Sequence, residues 1–142
     1  NSDGQWRIFT LHGEQPLDLN QPVSHISYFE AAAFASWAKA RLPREAELEV
    51  AFSKLESGKE TALQQAFGAC WQWTCSSYDA YPGFKPFEGA VAEYNGKFMV
   101  GQLVLKGSSC VTPEGHSRAS YRNFFPPSAR WQFSGIRLAR DL

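Results

Sequence analysis

Arg41-Leu42-Pro43-Arg44-Glu45-Ala46-Glu47-Leu48-Glu49 reads as the junction of two helices. A helix arriving from the amino-terminal side stops at Leu42-Pro43, because proline pushes the residue before it out of the helical region. The same proline, with its fixed φ and no amide to satisfy, suits the opening turn of a second helix, expected to run to about Lys54. Glu45, Glu47 and Glu49 then fall in that helix's amino-terminal half, where the helix dipole favours negative charge. They read as a solvated face and receive no catalytic role.

Working outward from this junction, Ser27-x-x-Glu30 is a capping box, so the first helix is expected from Tyr28 to about Ala40. Its apolar stripe would be Ala31, Phe34, Ala35 and Ala38. The first 24 residues are polar, with Pro16 and Pro22, and read as irregular coil around one short strand near Trp6-Arg7-Ile8-Phe9. Downstream, Glu56 to Gln65 is a polar connection and Trp71-Gln72-Trp73-Thr74 alternates as a strand does. Pro82-Gly83 and Pro86 break the stretch from Tyr78 to Gly89. Tyr94-Asn95-Gly96-Lys97 is a hairpin signal between strands Ala90–Tyr94 and Lys97–Gly101. Further strands are expected at Gln102–Lys106, Ser117–Asn123 and Phe133–Ala139. Two helices and several short antiparallel strands define an α+β domain.

The chain has 142 residues, of which 44% are hydrophobic and 20% charged, with zero formal net charge. Such a composition excludes disorder and collagen-like structure and fits one globular domain. No apolar run approaches the roughly 18 residues of a membrane span, so no membrane partner is expected. The start, Asn1-Ser2-Asp3-Gly4, has no basic region feeding an apolar one and no Met, as in a piece of a longer chain. Residues 1–103 hold 8 Lys/Arg and 12 Asp/Glu, whereas residues 104–142 hold 6 and 2. The basic end lacks the clustered cations of a nucleic-acid surface, so no nucleic-acid partner is expected, while a compact carboxylate site stays open.

Cys70, Cys75 and Cys110 form no Cys-x-x-Cys pair, which fits neither a disulfide framework nor a structural zinc site and points to a reducing cytoplasm. His12, His25 and His116 are scattered, so no metal site is expected within the chain. The 11 Phe, 5 Tyr and 5 Trp make up 15% of the residues. They concentrate in the second half among Gly and Pro, as in a loop-rich domain held together by large rings, a few of which line a pocket.

Several separated motifs resemble one family. The 41–49 stretch is similar to the Arg-Leu-Pro-Thr-Glu-Ala-Glu-Trp-Glu signature of the formylglycine-generating-enzyme-like, sulfatase-modifying-factor superfamily. Trp71-Gln72-Trp73-Thr74 resembles its Trp-Glu-Trp-Thr, Lys106-Gly107-Ser108-Ser109 its Arg-Gly-Gly-Ser, and Gly135-Ile136-Arg137-Leu138 its closing Gly-Phe-Arg. The resemblance implies an irregular, C-type-lectin-like α+β fold for residues 1–142. Tyr81-Pro82-Gly83-Phe84, Glu93-Tyr94-Asn95-Gly96-Lys97-Phe98-Met99 and Tyr121-Arg122-Asn123-Phe124-Phe125-Pro126-Pro127 narrow it to the carboxy-terminal domain of ergothioneine-biosynthesis sulfoxide synthases. Those enzymes use iron(II) and O2 to join the sulfur of cysteine or γ-glutamylcysteine to the imidazole of trimethylhistidine. Their iron is held by three His of an amino-terminal helical domain, so the resemblance places the Fe(II) ligands outside this chain, which would furnish one wall of the site.

Departures from the family patterns shape the expectations. Cys110 stands alone where formylglycine generators use two cysteines, with Arg118 or its neighbours in place of the second, which argues against copper-thiolate chemistry. Ala69 and Gln72 replace the Asn and Glu of a Gly-Asn-Val-Trp-Glu-Trp motif, so no calcium is expected. Val91 and Phe125 stand at positions where some sulfoxide synthases have a tyrosine acid and an aspartate. The acid would then come from another domain, and cysteine would be preferred to γ-glutamylcysteine.

The resemblance implies substrate contacts for Asn123, Phe124, Phe125, Tyr94 and Arg122, and no catalytic residue in this chain. Asn123 can orient a zwitterionic substrate or cap its own loop; Phe124 and Tyr94 can face a trimethylammonium group or pack in the core. Arg122 can meet a carboxylate or stay solvated. Cys110 reads as a small buried residue rather than a nucleophile. Two other readings stay open at this point: a lectin-like binding module without chemistry, and a formylglycine-type oxidase.

Overall fold

In the computed structural model, residues 4–10, 12–59, 62–89 and 96–141 are described. The strands β1 (Arg7–Thr10) and β2 (Gly13–Pro16) form a separate antiparallel hairpin. Helices α1 (Tyr28–Trp37) and α2 (Glu45–Glu56) follow, then strands β3 (Trp71–Ser77), β4 (Leu103–Gly107), β5 (Asn123–Phe125) and β6 (Ser134–Gly135). The last four make one sheet in the order β5-β4-β3-β6. The chain is therefore α+β. Not every pair is antiparallel, since β6 runs parallel to β3 with Trp71 opposite Ser134.

α1 begins as the capping box dictates. Ser27 Oγ accepts the Glu30 amide at 3.2 Å, and the Glu30 carboxylate accepts the Ser27 amide at 2.8 Å. It ends at Trp37, earlier than expected, and not because of Leu42-Pro43. Lys39 takes φ +51°. The Lys39 amide bonds to Ser36 O and the Ala40 amide to Ala35 O, which closes the helix with a left-handed turn usually left to glycine. The buried face is Ala31 and Ala35, flanked by the partly buried Tyr28 and Ala32. Phe34, expected in the stripe, lies outside it and contacts Trp37 instead, with ring centroids 5.5 Å apart. Ala31 and Ala35 are buried as expected, and the stripe widens towards Tyr28 and Ala32 rather than towards Phe34.

α2 starts at Glu45 rather than at Pro43. The Glu47 carboxylate accepts the Arg44 amide at 2.7 Å, and Pro43 O receives the Cys75 amide, which ties the helix entry to β3. Glu47 and Glu49 keep the expected solvated face while Glu45 is largely covered, and all three carboxylates hold cations. Glu47 pairs with Arg41 at 2.7 Å, Glu49 with the fully buried Lys106 at 2.9 Å, and Glu45 with Arg122 at 3.0 Å.

Among the described residues two clusters form the core. Ala31, Ala35, Leu42, Trp71, Trp73 and Leu105 make one, and Leu48, Phe52, Ala66 and Ala119 the other. Trp73 is fully buried and its indole donates to Ile26 O at 2.9 Å, so no polar atom is stranded. Burying such a ring removes about 150–250 Å² from water, equivalent to roughly 4–6 kcal/mol. Gly107, in β4, has φ +91°, and a Cβ there would sit 2.5 Å from Ala66 O. In β6, a Cβ on Gly135 would strike Cys70 Sγ.

The expected strands shorten. Residues 97–101 are not a strand, and the Met99 amide turns back to Gly96 O; residues 90–95 of the expected hairpin lie outside the described residues. Ser117–Asn123 is also corrected: Tyr121 closes a turn onto Arg118 O, so the strand starts where it was expected to end. Phe133–Ala139 reduces to β6 plus a bridge between Ala139 and Arg41. Among the described residues no helix is long and apolar enough to cross a membrane.

Candidate functional site

β5 is the edge strand that carries the candidate site. Its register against β4 sets Asn123 opposite Leu105, Phe124 opposite Val104 and Phe125 opposite Leu103. Successive residues of a strand face opposite sides. Phe125 packs on the first core cluster and meets Trp131 edge-on at 4.9 Å. Phe124 stacks on Tyr78 at 4.0 Å with planes 12° apart, and Phe98 lies 6.0 Å away. One face of the Phe124 ring is thereby occupied.

An open pocket of about 670 Å³ lies along this strand, with Asn123, Phe124, Phe125, Tyr121, Arg118 and Gln102 among its lining residues. Asn123 Oδ1 accepts the Phe124 amide at 2.9 Å, so half of the side chain caps its own backbone. Its Nδ2 has no partner among the described residues and remains a donor for something else. Tyr121 leans on Trp71 at 5.6 Å and carries the Arg118 guanidinium 5.2 Å from its centroid. The pocket thus combines apolar ring surface, an amide donor and a cation.

Arg122 also lines this pocket, with its guanidinium already engaged within the chain. Its guanidinium lies 4.7 Å from the Tyr78 ring centroid and 4.3 Å from that of Tyr81. Nε donates to Glu45 Oε2 and Nη1 to Asp79 O, both at 3.0 Å. Tyr81 donates its hydroxyl to Glu45 Oε1 at 2.8 Å. Burial, reinforced by that hydrogen bond to a carboxylate, pushes the Tyr81 hydroxyl up to about 12, so it stays protonated. Just before β5 begins, Arg122 therefore joins α2 to the loop carrying Tyr78, Asp79 and Tyr81. Tyr94 and Val91 lie outside the described residues. Sequence reasoning missed Arg118 and Gln102 as lining residues: Arg118 carries no local pattern, and Gln102 ends up there only through the β4–β5 pairing.

Among the described residues no group of three His, Cys, Asp or Glu can hold a metal ion. His12, His25 and His116 are exposed and separate; the His25 ring lies against Phe133 and that of His116 against Tyr121. The described donor set does not fit an iron centre. The three cysteines are free, and Cys110 is exposed, not buried as expected, because it follows β4 into a turn. The buried thiol is Cys70, whose pKa burial pushes up.

Residues 2–62 and 58–142 match the model of the sulfatase-modifying factor enzyme 1-like domain. The chain belongs to this family. It is 31% identical over 179 residues to a protein named hercynine oxygenase from Mycobacterium tuberculosis, covering 99% of this chain and 41% of that protein. The Mycolicibacterium smegmatis protein of the same name is 32% identical over 184 residues, covering 100% of this chain and 42% of the relative. A Schizosaccharomyces pombe protein named ergothioneine biosynthesis protein 1 is 29% identical over 166 residues, covering 98% and 21%. The chain spans less than half the length of each of these relatives.

In this sulfatase-modifying-factor domain the recognisable motifs turn out to be tie points. The Arg-Leu-Pro stretch supplies Arg41, which also grips Asp141 at 2.7 Å, and the closing Gly-Ile-Arg supplies Arg137, which donates to Gln72 Oε1 at 2.6 Å. Hydrogen bonds from Arg41 and from the Arg44 amide hold Glu47 well below the usual carboxylate range, at about 2.

Proposed function

We propose that this chain is the carboxy-terminal, substrate-binding domain of an iron(II)- and O2-dependent sulfoxide synthase that joins the sulfur of cysteine to the imidazole of trimethylhistidine in ergothioneine biosynthesis. The observation that carries the reading is the alignment of nearly the whole chain with proteins named hercynine oxygenase. The pocket along β5 agrees with it chemically. The aromatic ring of Phe124, which lines the pocket, suits a trimethylammonium group, a contact worth about 1–2 kcal/mol when water is excluded. Asn123 Nδ2 donates to the substrate while Oδ1 stays fixed on the backbone, so the amide is pre-oriented. Phe125 closes the apolar wall. Arg122, already paired with Glu45, acts as a positioning residue for Asn123 and Phe124.

Iron ligands and the proton donor then belong to an amino-terminal helical domain outside these residues, and no chemical step is assigned to a side chain here. Three free thiols suit a reducing cytoplasm. With apolar Phe125 where a glutamyl amine would need an acid, cysteine is the favoured sulfur donor over γ-glutamylcysteine.

Replacing Asn123 with Ala in the full-length enzyme tests the assignment. The expected loss in kcat/KM for trimethylhistidine is about 1–3 kcal/mol, the cost of an unmade polar contact, with an unchanged melting temperature. A variant that melts early while its folded fraction keeps normal kcat/KM would make Asn123 a structural cap. Absence of any trimethylhistidine turnover in the wild-type parent would favour the lectin-like module.

A further inference from the structure

Arg137 lies just past β6, at the opposite edge of the sheet from β5. It is half-buried, and both groups that hold it are neutral. Nε donates to Gln72 Oε1 at 2.6 Å and Nη2 to the Gln64 carbonyl at 2.8 Å. Among the described residues Arg137 takes part in no ion pair, unlike Arg7, Arg41, Arg122 and Arg130. The nearby Cys70 thiol is pushed up by burial, so it stays neutral and gives no compensating charge. A partly desolvated cation with no counter-ion is costly to keep, because burying a charge without an opposite partner is unfavourable.

A cavity of about 500 Å³ opens against this guanidinium, lined by Gln64, Gln65, Gln72, Ile136 and Leu138 among others. With Nε and one Nη2 hydrogen spoken for, the far end of the fork remains: both Nη1 hydrogens and the second one on Nη2 have no acceptor among the described residues. Two parallel N–H donors on a planar group match the two oxygens of a carboxylate. One positive charge matches one negative charge, so a dianion would leave a surplus in a partly desolvated place. Ile136 and Leu138 suit a short alkyl group, and no lining carboxylate among the described residues would receive an ammonium.

We propose that this cavity is a second ligand site, separate from the pocket along β5, that binds a small monocarboxylate end-on to Arg137. Strand spacing puts the two sites three strands apart, roughly 14 Å. Gln72 makes the site available. Its Oε1 is so close to Arg137 Nε that a glutamate there would neutralise the guanidinium from within the chain.

The test uses the full-length parent protein in chloride-free buffer with trifluoroacetate as probe, read by fluorine NMR line width. The expected result is saturable broadening, reversed by acetate and retained in Asn123→Ala. In Gln72→Glu the affinity should fall by at least about tenfold, the equivalent of one lost charge-assisted contact. Arg137→Lys, which keeps the charge and removes the fork, should show a similar loss with native circular dichroism, and it serves if Gln72→Glu does not fold. Three results would overturn the proposal: no saturable broadening in the wild type, equal broadening in whichever of these two variants folds, or displacement by inorganic phosphate as effective as by acetate.

Discussion

Lys106 is fully buried with its ammonium 2.9 Å from Glu49, whose side chain is 37% exposed, and this asymmetry makes a sharp prediction. At that separation the attraction is about 1.4 kcal/mol in bulk water and about 6 kcal/mol at an effective dielectric of 20. Exposure of the carboxylate screens it, so Glu49→Gln should cost about 2–3 kcal/mol, chiefly because a buried ammonium loses its counter-ion. Lys106→Met fills much the same space and frees Glu49 to turn into water. That change should cost no more than about 1 kcal/mol, and the double variant should resemble Lys106→Met. Hydrogen exchange of peptides from α2 and β4 in the parent protein reads the difference locally, with a roughly 30- to 150-fold faster opening in Glu49→Gln. If Lys106→Met opens faster than Glu49→Gln, the lysine acts through the packing of its stem and the electrostatic reasoning is wrong.

Other perturbations have equally definite outcomes. Lys39→Gly relieves the left-handed backbone at the end of α1 and should stabilise by about 0.5–1 kcal/mol after glycine's own entropy cost, seen as a higher melting temperature. Gly107→Ala meets Ala66 O and the Gln72 carboxamide in a left-handed conformation, so a loss above roughly 2 kcal/mol is expected in the urea midpoint. Glu47 is held near 2 from an ordinary 4.5, so its contribution is complete above about pH 4.5 and vanishes as the pH falls towards 2. Melting temperature against pH should therefore fall more steeply over that window in wild type than in Glu47→Gln, and parallel curves would refute the pairing.

Local chemistry was legible in the sequence where a residue's partner lies within one turn. Ser27 and Glu30 satisfy each other, and the structure realises that cap as read. The family itself was legible because its motifs mark tie points. What no pattern revealed was the destination of each tie: Glu45, Glu47 and Glu49 look alike along the helix, yet their cations lie at positions 122, 41 and 106. Aromatic phase was equally hidden, since Phe34 and Ala35 differ in burial by neighbours rather than by period. At the candidate site, Asn123 and Phe124 were legible as chemical types, and their placement along a pocket is visible in the structure. The commitment of Arg122 to Glu45 depended on a contact 77 residues long and had no local signal.

The parallel pairing of β6 with β3 also bears on how the polypeptide matures in the cell. Trp71 and Gln72 find their outer partners at Ser134 and Gly135. About 60 residues must be synthesised between the two strands, which at roughly 5–20 residues per second takes on the order of 3–12 s. For that interval β3, with its two tryptophans, presents an unpaired backbone edge, the kind of surface that recruits other chains. A nascent chain with this topology keeps that edge open until its closing Gly-Ile-Arg segment arrives.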